Sequence, residues 1–240
     1  MQLQSCPHCS SDNVVKNGFT YYGKQNHKCK NCKRQFVERD DPEKLTLEET
    51  VKKLLLERIS LRGICRVVNK SLGWLSSFIK RLYGELDDEL PIKIPEDPDL
   101  ELCLVEADEM WSFVGKKADK QWIWLAMEVE THQIVGFWIG PRSEEGAWGL
   151  WYSIPERIRN MAYFCTDYWD AYDAVFPKER HANSKYKGET NHIERFNNTL
   201  RHRCSRLVRK NLAFSKSLEN HINAIFYFIR HYNLTKIASL

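Results

Sequence analysis

The stretch ELCLVEADEMW, residues 101–111, decides the fold of the larger part of this chain. It is an apolar segment of strand length that ends in acidic residues, which predicts a buried β-strand with carboxylates near its tip. Two more apolar segments follow, QWIWLAMEVE at residues 121–130 and QIVGFWIG at residues 133–140, joined by a polar turn. The three segments predict an antiparallel meander.

Beyond the meander, the pattern predicts a helix over residues 143–155, capped by Ser143, and a fourth apolar strand, NMAYFCTD, that ends at Asp167. Helices follow, and the last is amphipathic with four residues facing inward: Leu218, Ile222, Ile225 and Ile229. Three strands, a helix, a strand and then helices is the order of an RNase H-like fold. We therefore predict an α/β domain over residues 101–240, with a mixed sheet flanked by helices.

Three carboxylates are candidates for a catalytic metal site. Asp108 lies on the first strand, Asp167 ends the fourth strand, and Glu194 lies on a basic helix further along the chain. The first and fourth strands are neighbours in such a sheet, so we expect the two aspartates to meet. Mg²⁺ prefers carboxylate oxygens, and two such ions serve the attacking and leaving oxygens when a phosphodiester is cut or joined. Three converging carboxylates repel one another without cations, which favours a metal site over a structural role.

Other interpretations of these acids stay open at the level of sequence. Acids at strand ends are commonly solvated, and Glu194 could form an ion pair with Arg201 or Lys187. Four more carboxylates compete for places in the site: Glu106, Glu109, Asp170 and Glu189. Two tryptophans beside the site are candidates for stacking on exposed bases, although burial in the core is the commoner role: Trp111 and Trp169.

Four cysteines near the N-terminus form two C-x2-C pairs, Cys6 with Cys9 and Cys29 with Cys32. This spacing is typical of one structural Zn²⁺, because each pair aims two thiolates at one point and the two pairs complete a tetrahedron. A zinc-ribbon module of residues 1–40 is too small to fold on apolar burial alone, so metal binding would supply its folding free energy. Two disulfides are the alternative, which a cytoplasmic location disfavours.

Residues 43–84 predict three short helices, with a capping box of Thr46 and Glu49 at the start of the first and Ser60 capping the second. Helix, short turn, helix resembles a helix-turn-helix, whose second helix contacts DNA. The candidate contacts lie along that helix: Gly73, Trp74, Ser76, Ser77, Lys80 and Arg81. An acidic linker with three prolines, residues 85–100, follows it.

The charge distribution indicates a nucleic-acid partner more clearly than the net charge of +4 does. Residues 1–39 hold seven Lys and Arg against two acids, and residues 180–210 hold nine against two. No apolar run reaches the ~20 residues of a membrane helix. The N-terminus lacks the apolar stretch of a secretory signal, so we expect a cytoplasmic protein without a membrane partner.

Four segments together resemble the transposases of the bacterial insertion-sequence-one family: VEADEMWSFVGKK, YFCTDYWDAY, NHIERFNNTLRHRCSRLVRK and AFSKSLENHI. The N-terminal CPHCSSDNVVKNG and KCKNCKRQF are similar to the zinc-finger part of that family. The resemblance implies a DDE transposase whose RNase H-like domain uses two Mg²⁺ or Mn²⁺ ions. Matched motif by motif, it implies Asp108, Asp167 and Glu194 as the catalytic and metal-binding residues.

The same resemblance implies double-stranded DNA as the substrate. The N-terminal modules would bind the terminal inverted repeats, and the catalytic domain would cleave there and transfer the 3′ strand into target DNA, as at least a dimer because two ends are held together. Five residues would position phosphates: Asn198, Arg201, Arg206, Arg209 and Lys210. His192 either orients Glu194 or a water, or makes an ordinary hydrogen bond. A DNA-binding regulator with an inactive domain and a structure-specific nuclease stay open as alternatives.

Overall fold

The computed structural model describes residues 5–20, 23, 25–37, 42–93, 103–183, 190–207 and 214–240, with residues 42–45 as backbone only. The chain divides into two compact units, Met1–Lys52 and Lys53–Leu240. The boundaries expected from sequence, near residues 40, 84 and 100, stay predictions.

The first unit contains a three-stranded antiparallel sheet of β1 (Val14–Phe19), β2 (Gln25–Cys29) and β3 (Gln35–Val37), in that order. Its buried side chains are few: within the described residues they are Cys6, His27, Cys29 and Val51. So little apolar burial does not stabilise a fold of this size without a crosslink or a metal.

Three helices follow: α1 (Pro42–Leu54), α2 (Leu61–Val68) and α3 (Leu72–Gly84). The predicted capping box is wrong, because α1 begins at Pro42 and Thr46 lies inside the helix. Proline suits the first helical position, where its missing N–H is not needed. The Glu49 side chain pairs with Lys52 Nζ at 2.7 Å instead of reaching back to Thr46.

Serine hydroxyls start the other two helices of this group. Ser60 Oγ accepts a hydrogen bond from the Gly63 N–H, which confirms the predicted cap of α2, and Ser71 Oγ accepts one from the Trp74 N–H. Asn69 ends α2 in the left-handed conformation, with φ of 50°. The short connection from Asn69 to Ser71 is the turn that the helix-turn-helix prediction needs.

The second unit is built on a five-stranded mixed sheet in the order β6-β5-β4-β7-β8. The strands are β4 (Leu104–Phe113), β5 (Lys120–Glu128), β6 (Ile134–Gly140), β7 (Tyr163–Thr166) and β8 (His181–Asn183). The antiparallel meander of β4, β5 and β6 is confirmed, and so is the pairing of β7 with β4, which is parallel. The edge strand β8 was not predicted, because three residues are too few to show an alternating pattern.

Helices cover both faces of this sheet: α4 (Glu144–Ser153), α5 (Glu156–Met161), α6 (Asp170–Val175), α7 (Asn191–Arg203) and α8 (Leu218–Ile237). The α4 helix packs on β5, β6 and α6, whereas α7 packs on β4 and β5 and α8 packs on β6. This arrangement confirms an α/β domain with a mixed sheet flanked by helices. Ser143 occupies the N-cap position of α4, but its side chain makes no capping hydrogen bond.

Two sequence expectations about the last helices need correction. The basic helix is shorter than its sequence suggested, since α7 ends at Arg203. Ile225 and Ile229 are buried in α8 as expected, but Leu218 is 42% exposed. Leu218 is the first residue of α8, and the next two residues are exposed as well, so the apolar contact begins one turn later.

The described part of the acidic linker is bound to the second unit. Arg230 Nη2 donates to Asp87 Oδ2 at 2.5 Å. The buried Gln133 side chain both accepts from the backbone N–H of Lys93 and donates to its carbonyl, each at 2.8 Å. The linker up to Lys93 is therefore held by specific contacts, and residues 94–100 lie outside the described residues. Among the helices that the structure describes, none has the length and apolar character to cross a membrane.

Candidate active site

Asp108 and Asp167 meet because β4 and β7 run parallel in a fixed register. Leu104 pairs with Tyr163 and Glu106 with Cys165, and the same spacing brings Asp108 opposite Asp167. The β7 strand ends at Thr166, so Asp167 is the first residue beyond it, beside the middle of β4.

A third carboxylate joins them at this point. Oxygens of Asp108, Glu109 and Asp167 all lie within 4.8 Å of one another. Successive residues of a strand point to opposite faces, so Asp108 and Glu109 leave β4 on different sides. The pairing of β4 with β7 ends at Glu106 and Cys165, before Asp108 and Glu109 are reached, and both side chains bring an oxygen within 4.8 Å of Asp167. Strand alternation alone would have kept Glu109 away from Asp108.

Burial makes these acids hard to ionise. It raises the pKa of Asp108 to about 7, and the negative charges of Glu109 and Asp167 add to the effect. Burial also raises the pKa of Asp167, whereas the positive charge of Arg142 opposes that increase. A divalent cation between the carboxylates would reverse this cost, because it stabilises their charged forms.

Two buried oxygen atoms at the acidic cluster have no hydrogen-bond donor among the described residues, as expected of oxygens that bind a cation. Asp167 Oδ1 is buried and has no hydrogen-bond partner among the described residues. The Oδ1 atom of Asn197, whose Nδ2 donates to Asp108 Oδ2 at 2.6 Å, is likewise buried and unpartnered there. Buried oxygens without donors are costly, and hard oxygen ligands are what Mg²⁺ and Mn²⁺ bind. The residues present therefore fit a divalent metal.

Glu109 differs from the two aspartates because both of its oxygens are engaged by protein donors. Its Oε1 accepts from Arg142 Nε at 2.8 Å and lies 2.6 Å from Arg142 Nη2. Its Oε2 accepts from the hydroxyl of Tyr172 at 2.8 Å. Glu109 is thus balanced by a cation of the protein itself.

Helix α7 lies beside β4, held by two acids on one face of the strand. Glu106 accepts from His192 Nδ1 and from the backbone N–H of Ile193, both at 2.8 Å. Two residues along the strand, Asp108 accepts from Asn197. Two strand residues rise by about 6.6 Å, which nearly equals the rise of four to five helical residues. Glu106 and Asp108 on β4 can therefore contact Ile193 and Asn197 on α7.

Glu194 is exposed on α7 and is not among the carboxylates gathered within 4.8 Å. It precedes Asn197 by three residues, a spacing at which helical side chains are neighbours. Glu194 is therefore a near neighbour on α7 of Asn197, which contacts Asp108. Its place in a triad with Asp108 and Asp167 stays a prediction.

The remaining candidate residues near the site differ in their contacts and exposure. His192 makes an ordinary, partly buried hydrogen bond to Glu106, one of the two alternatives left open from sequence. Trp169 has one face of its ring covered by Arg142, whose guanidinium carbon lies 3.6 Å from the ring centroid. Trp111 packs near Phe113, with ring centroids 5.6 Å apart. Asp170 is exposed in the first turn of α6, and Glu189 lies outside the described residues.

The four N-terminal cysteines form a second cluster with metal-ligand geometry. Their sulfur atoms all lie within 4.8 Å of one another, with Cys6 Sγ 3.7 Å from Cys32 Sγ and Cys9 Sγ 3.6 Å from Cys29 Sγ. A Zn–S bond of about 2.3 Å gives tetrahedral S···S edges of about 3.8 Å. The backbone N–H of Cys32 lowers the pKa of Cys29 to about 6, which favours the thiolate. The cysteines are free, so the disulfide alternative does not hold, and the cluster is compatible with one structural zinc ion.

Most of the predicted DNA contacts are accessible. Gly73, Ser76, Ser77, Lys80 and Arg81 are exposed along α3, and Trp74 is half-buried against Phe78. On and after α7, Asn198 is exposed, whereas Arg201 and Arg206 are half-buried and have partners of their own. Arg209 and Lys210 lie outside the described residues.

Sequence reasoning missed two residues of the site, Arg142 and Tyr172. Arg142 follows β6 in a loop, and Tyr172 is an apolar-face residue of a six-residue helix, so neither shows a motif. Each of the two residues is identified as part of the site only by its hydrogen bond to Glu109, and such a tertiary contact leaves no pattern in the sequence.

The amino-acid sequence matches one family of known proteins. Residues 101–234 match the protein family described as IS1 transposase. The chain is 38% identical over 126 residues to the insertion element iso-IS1n protein InsB of Shigella dysenteriae, which covers 52% of this chain and 93% of that protein. It is 32% identical over 142 residues to the insertion element IS1 4 protein InsB of Escherichia coli (strain K12), covering 58% and 82%. The matched region contains the mixed sheet, the acidic cluster and α7.

Proposed function

Because this chain belongs to the IS1 transposase family, we propose that it binds the terminal inverted repeats of an insertion sequence and cleaves the DNA there in a metal-dependent reaction. Water displaces the 3′ oxygen at the element end, and the freed 3′-hydroxyl then attacks a phosphodiester of target DNA, whose own 3′ oxygen leaves. The sheet order and flanking helices support an RNase H-like fold for this domain. The observation that carries the proposal is the convergence of Asp108 and Asp167, where Asp167 Oδ1 is buried and has no hydrogen-bond partner among the described residues.

Asp108, Asp167 and Glu194 are the proposed ligands of two Mg²⁺ or Mn²⁺ ions. Bound there, the ions would supply an activated water and a stabilised leaving oxygen. Asp108 and Asp167 have fixed positions on the sheet, and Asn197 orients one oxygen of Asp108. Glu194 would complete the set from α7, whose start is tied to β4 by Glu106. Glu109 is the weaker candidate for third ligand because protein donors already use both of its oxygens.

DNA recognition is assigned to the N-terminal modules and to the basic part of α7. Exposed Lys80 and Arg81 on α3 suit phosphates, and Ser76 and Ser77 suit base edges. Asn198, Arg201 and Arg206, with Arg209 and Lys210 beyond them, would contact phosphates near the metal site. Holding two element ends together requires at least a dimer on double-stranded DNA.

The test is to incubate the purified full chain with labelled duplexes carrying a candidate terminal repeat and Mg²⁺, and to map the cuts. We expect cleavage at the repeat, lost in Asp108→Asn and Asp167→Asn by at least ~1,000-fold, with duplex binding retained. Asp170→Asn is the matched control, since Asp170 is a nearby but exposed aspartate outside the cluster. Binding without cleavage by the unaltered chain would identify a DNA-binding regulator. Cleavage of branched DNA regardless of terminal sequence would identify a nuclease.

A further inference from the structure

Arg142 has an environment built for one orientation of its guanidinium group. The guanidinium carbon lies 3.6 Å from the ring centroid of Trp169 and 4.6 Å from that of Trp122. A planar, weakly hydrated cation is stabilised by such aromatic contacts. The two indole rings therefore restrict the plane in which the guanidinium group lies.

Glu109 holds the guanidinium group of Arg142 in place within the plane that the two indole rings set. It contacts the Nε and Nη2 edge of the guanidinium group at 2.8 and 2.6 Å. The Glu109 side chain is only 1% exposed, and Tyr172, itself fully buried, holds its second oxygen. Tyr172 is fixed in turn by an edge-on contact with Trp124, with ring centroids 5.6 Å apart. A chain of core residues thus determines where the arginine points.

One edge of the guanidinium group remains available. Nη1 donates no hydrogen bond to any described residue, and the Arg142 side chain is 33% exposed. Arg142 contacts the carboxylate of Glu109, which has an oxygen within 4.8 Å of oxygens of Asp108 and Asp167. The guanidinium group therefore lies beside the proposed metal site, where the phosphate of the cut strand would bind.

We propose that Arg142 binds the phosphate at the cleavage position, and that Glu109 and Tyr172 are positioning residues that hold Arg142 there. The proposal rests on the proposed function, because it names a contact within that reaction. Arginine donors match phosphate oxygens in geometry, and a fixed cation beside the phosphoryl group stabilises the charge that develops during displacement. Glu109 then contributes to the reaction through Arg142.

The experiment combines protein and substrate changes. Single-turnover cleavage is measured for Arg142→Gln and Glu109→Gln, with the full-length protein in saturating excess over the DNA. The substrates carry either the natural phosphate or an uncharged methylphosphonate, placed in turn at the cleaved position and at its neighbours. Arg157→Gln is the control, since Arg157 is exposed on α5 away from the cluster. Thermal unfolding of each variant reports whether it folds.

On the natural substrate, we expect Arg142→Gln to slow cleavage by roughly 100-fold and Arg157→Gln to leave the rate unchanged. With the methylphosphonate at the cleaved position, the Arg142→Gln effect should shrink to a few-fold, because the partner charge is already absent. An equal effect on charged and uncharged substrates at every position overturns the phosphate contact, even if the variant folds normally.

Glu109→Gln separates positioning from metal binding. We expect it to slow cleavage about as much as Arg142→Gln, to add little in the double variant, and to leave the Mg²⁺ concentration for half-maximal rate unchanged. A several-fold rise in that concentration would make Glu109 a metal ligand and overturn its positioning role. If the unaltered chain cuts no element end, the proposed function fails, whereas failure of these comparisons alone refutes only the inference.

Discussion

Asn197 Nδ2 donates a 2.6 Å hydrogen bond to Asp108 Oδ2, joining two residues that are 89 positions apart in the chain. The bond connects the middle of β4 to the second turn of α7. It leaves Asn197 Oδ1 buried and without a partner among the described residues. One side chain thus orients a proposed metal ligand and fixes the helix that carries Glu194.

Replacing Asn197 with alanine should slow DNA cleavage by roughly 10- to 100-fold, because a hydrogen bond to a charged group contributes about 1.5–3 kcal/mol. The Mg²⁺ requirement should rise, since Asp108 loses its orientation. The measurement is the cleavage rate against Mg²⁺ concentration. Thr199→Ala is the control, because the Thr199 hydroxyl donates to the Arg195 carbonyl of its own helix and, among the described residues, to no group of the site. An unchanged Mg²⁺ dependence in Asn197→Ala would refute the orienting role.

Replacing Glu106 with glutamine should destabilise the second unit. Glu106 is 2% exposed and accepts from the Ile193 N–H at the start of α7, where a negative charge also interacts with the helix dipole. Loss of this charge-assisted contact should cost about 1.5–3 kcal/mol, lowering Tm by roughly 3–10 °C in thermal unfolding. Glu156→Gln, at the exposed start of α5, should change Tm by about 1 °C or less. Equal effects of the two changes would argue against a special role for Glu106.

The acidic cluster should make stability depend on pH and on metal. The pKa of Asp108 is raised from its ordinary value of 3.8 to about 7. The folded protein therefore binds this proton more tightly than the unfolded chain, so its stabilising effect is complete at low pH and is lost as pH rises toward 7. A cation binds the ionised form, so Mg²⁺ should raise Tm more at pH 8 than at pH 5.5.

The check is a series of unfolding curves from pH 5 to 8.5, with and without Mg²⁺. Asp108→Asn cannot ionise at this position, and its pH dependence over that range should be weaker. A Mg²⁺ effect that stays constant with pH, or persists fully in Asp108→Asn, would separate metal binding from this carboxylate.

Removing the proposed zinc ion should unfold the first unit and leave the second folded. The sulfur cluster of Cys6, Cys9, Cys29 and Cys32 is its main crosslink, and its apolar core is small. A strong chelator or Cys29→Ser should release about one zinc per chain and weaken repeat binding by at least ~10-fold. Cys65→Ser, at a half-buried cysteine outside the cluster, should retain the metal. Metal content by mass spectrometry and protease sensitivity of residues 1–52 provide the measurements.

Binding to the terminal repeat should weaken steeply with salt, by about 0.9 in the log–log slope for each neutralised phosphate. Lys80→Gln and Arg81→Gln should each reduce that slope by roughly one if they contact phosphates. Lys117→Gln, at an exposed turn between β4 and β5, is the comparison. A slope that is the same in all three variants would place the phosphate contacts elsewhere.

The sequence by itself determined the longer strands and helices and the kinds of site. Cysteine spacing indicated the metal cluster because four ligands in two tight turns are a local pattern. The apolar segments indicated the meander and the fourth strand because a buried strand is apolar in its own composition. Asp108 and Asp167 could be paired in advance because the order of elements makes β4 and β7 neighbours.

Only the tertiary structure decided which other groups meet those aspartates. The early end of β7 allows Glu109 to reach Asp108 from the opposite face, and alternation along one strand does not contain that information. The partners of Glu109 come from a loop and a short helix, where side-chain contacts depend on packing between elements rather than on periodicity. The exposed start of α8 was decided in the same way, by what that surface lies against in the folded chain.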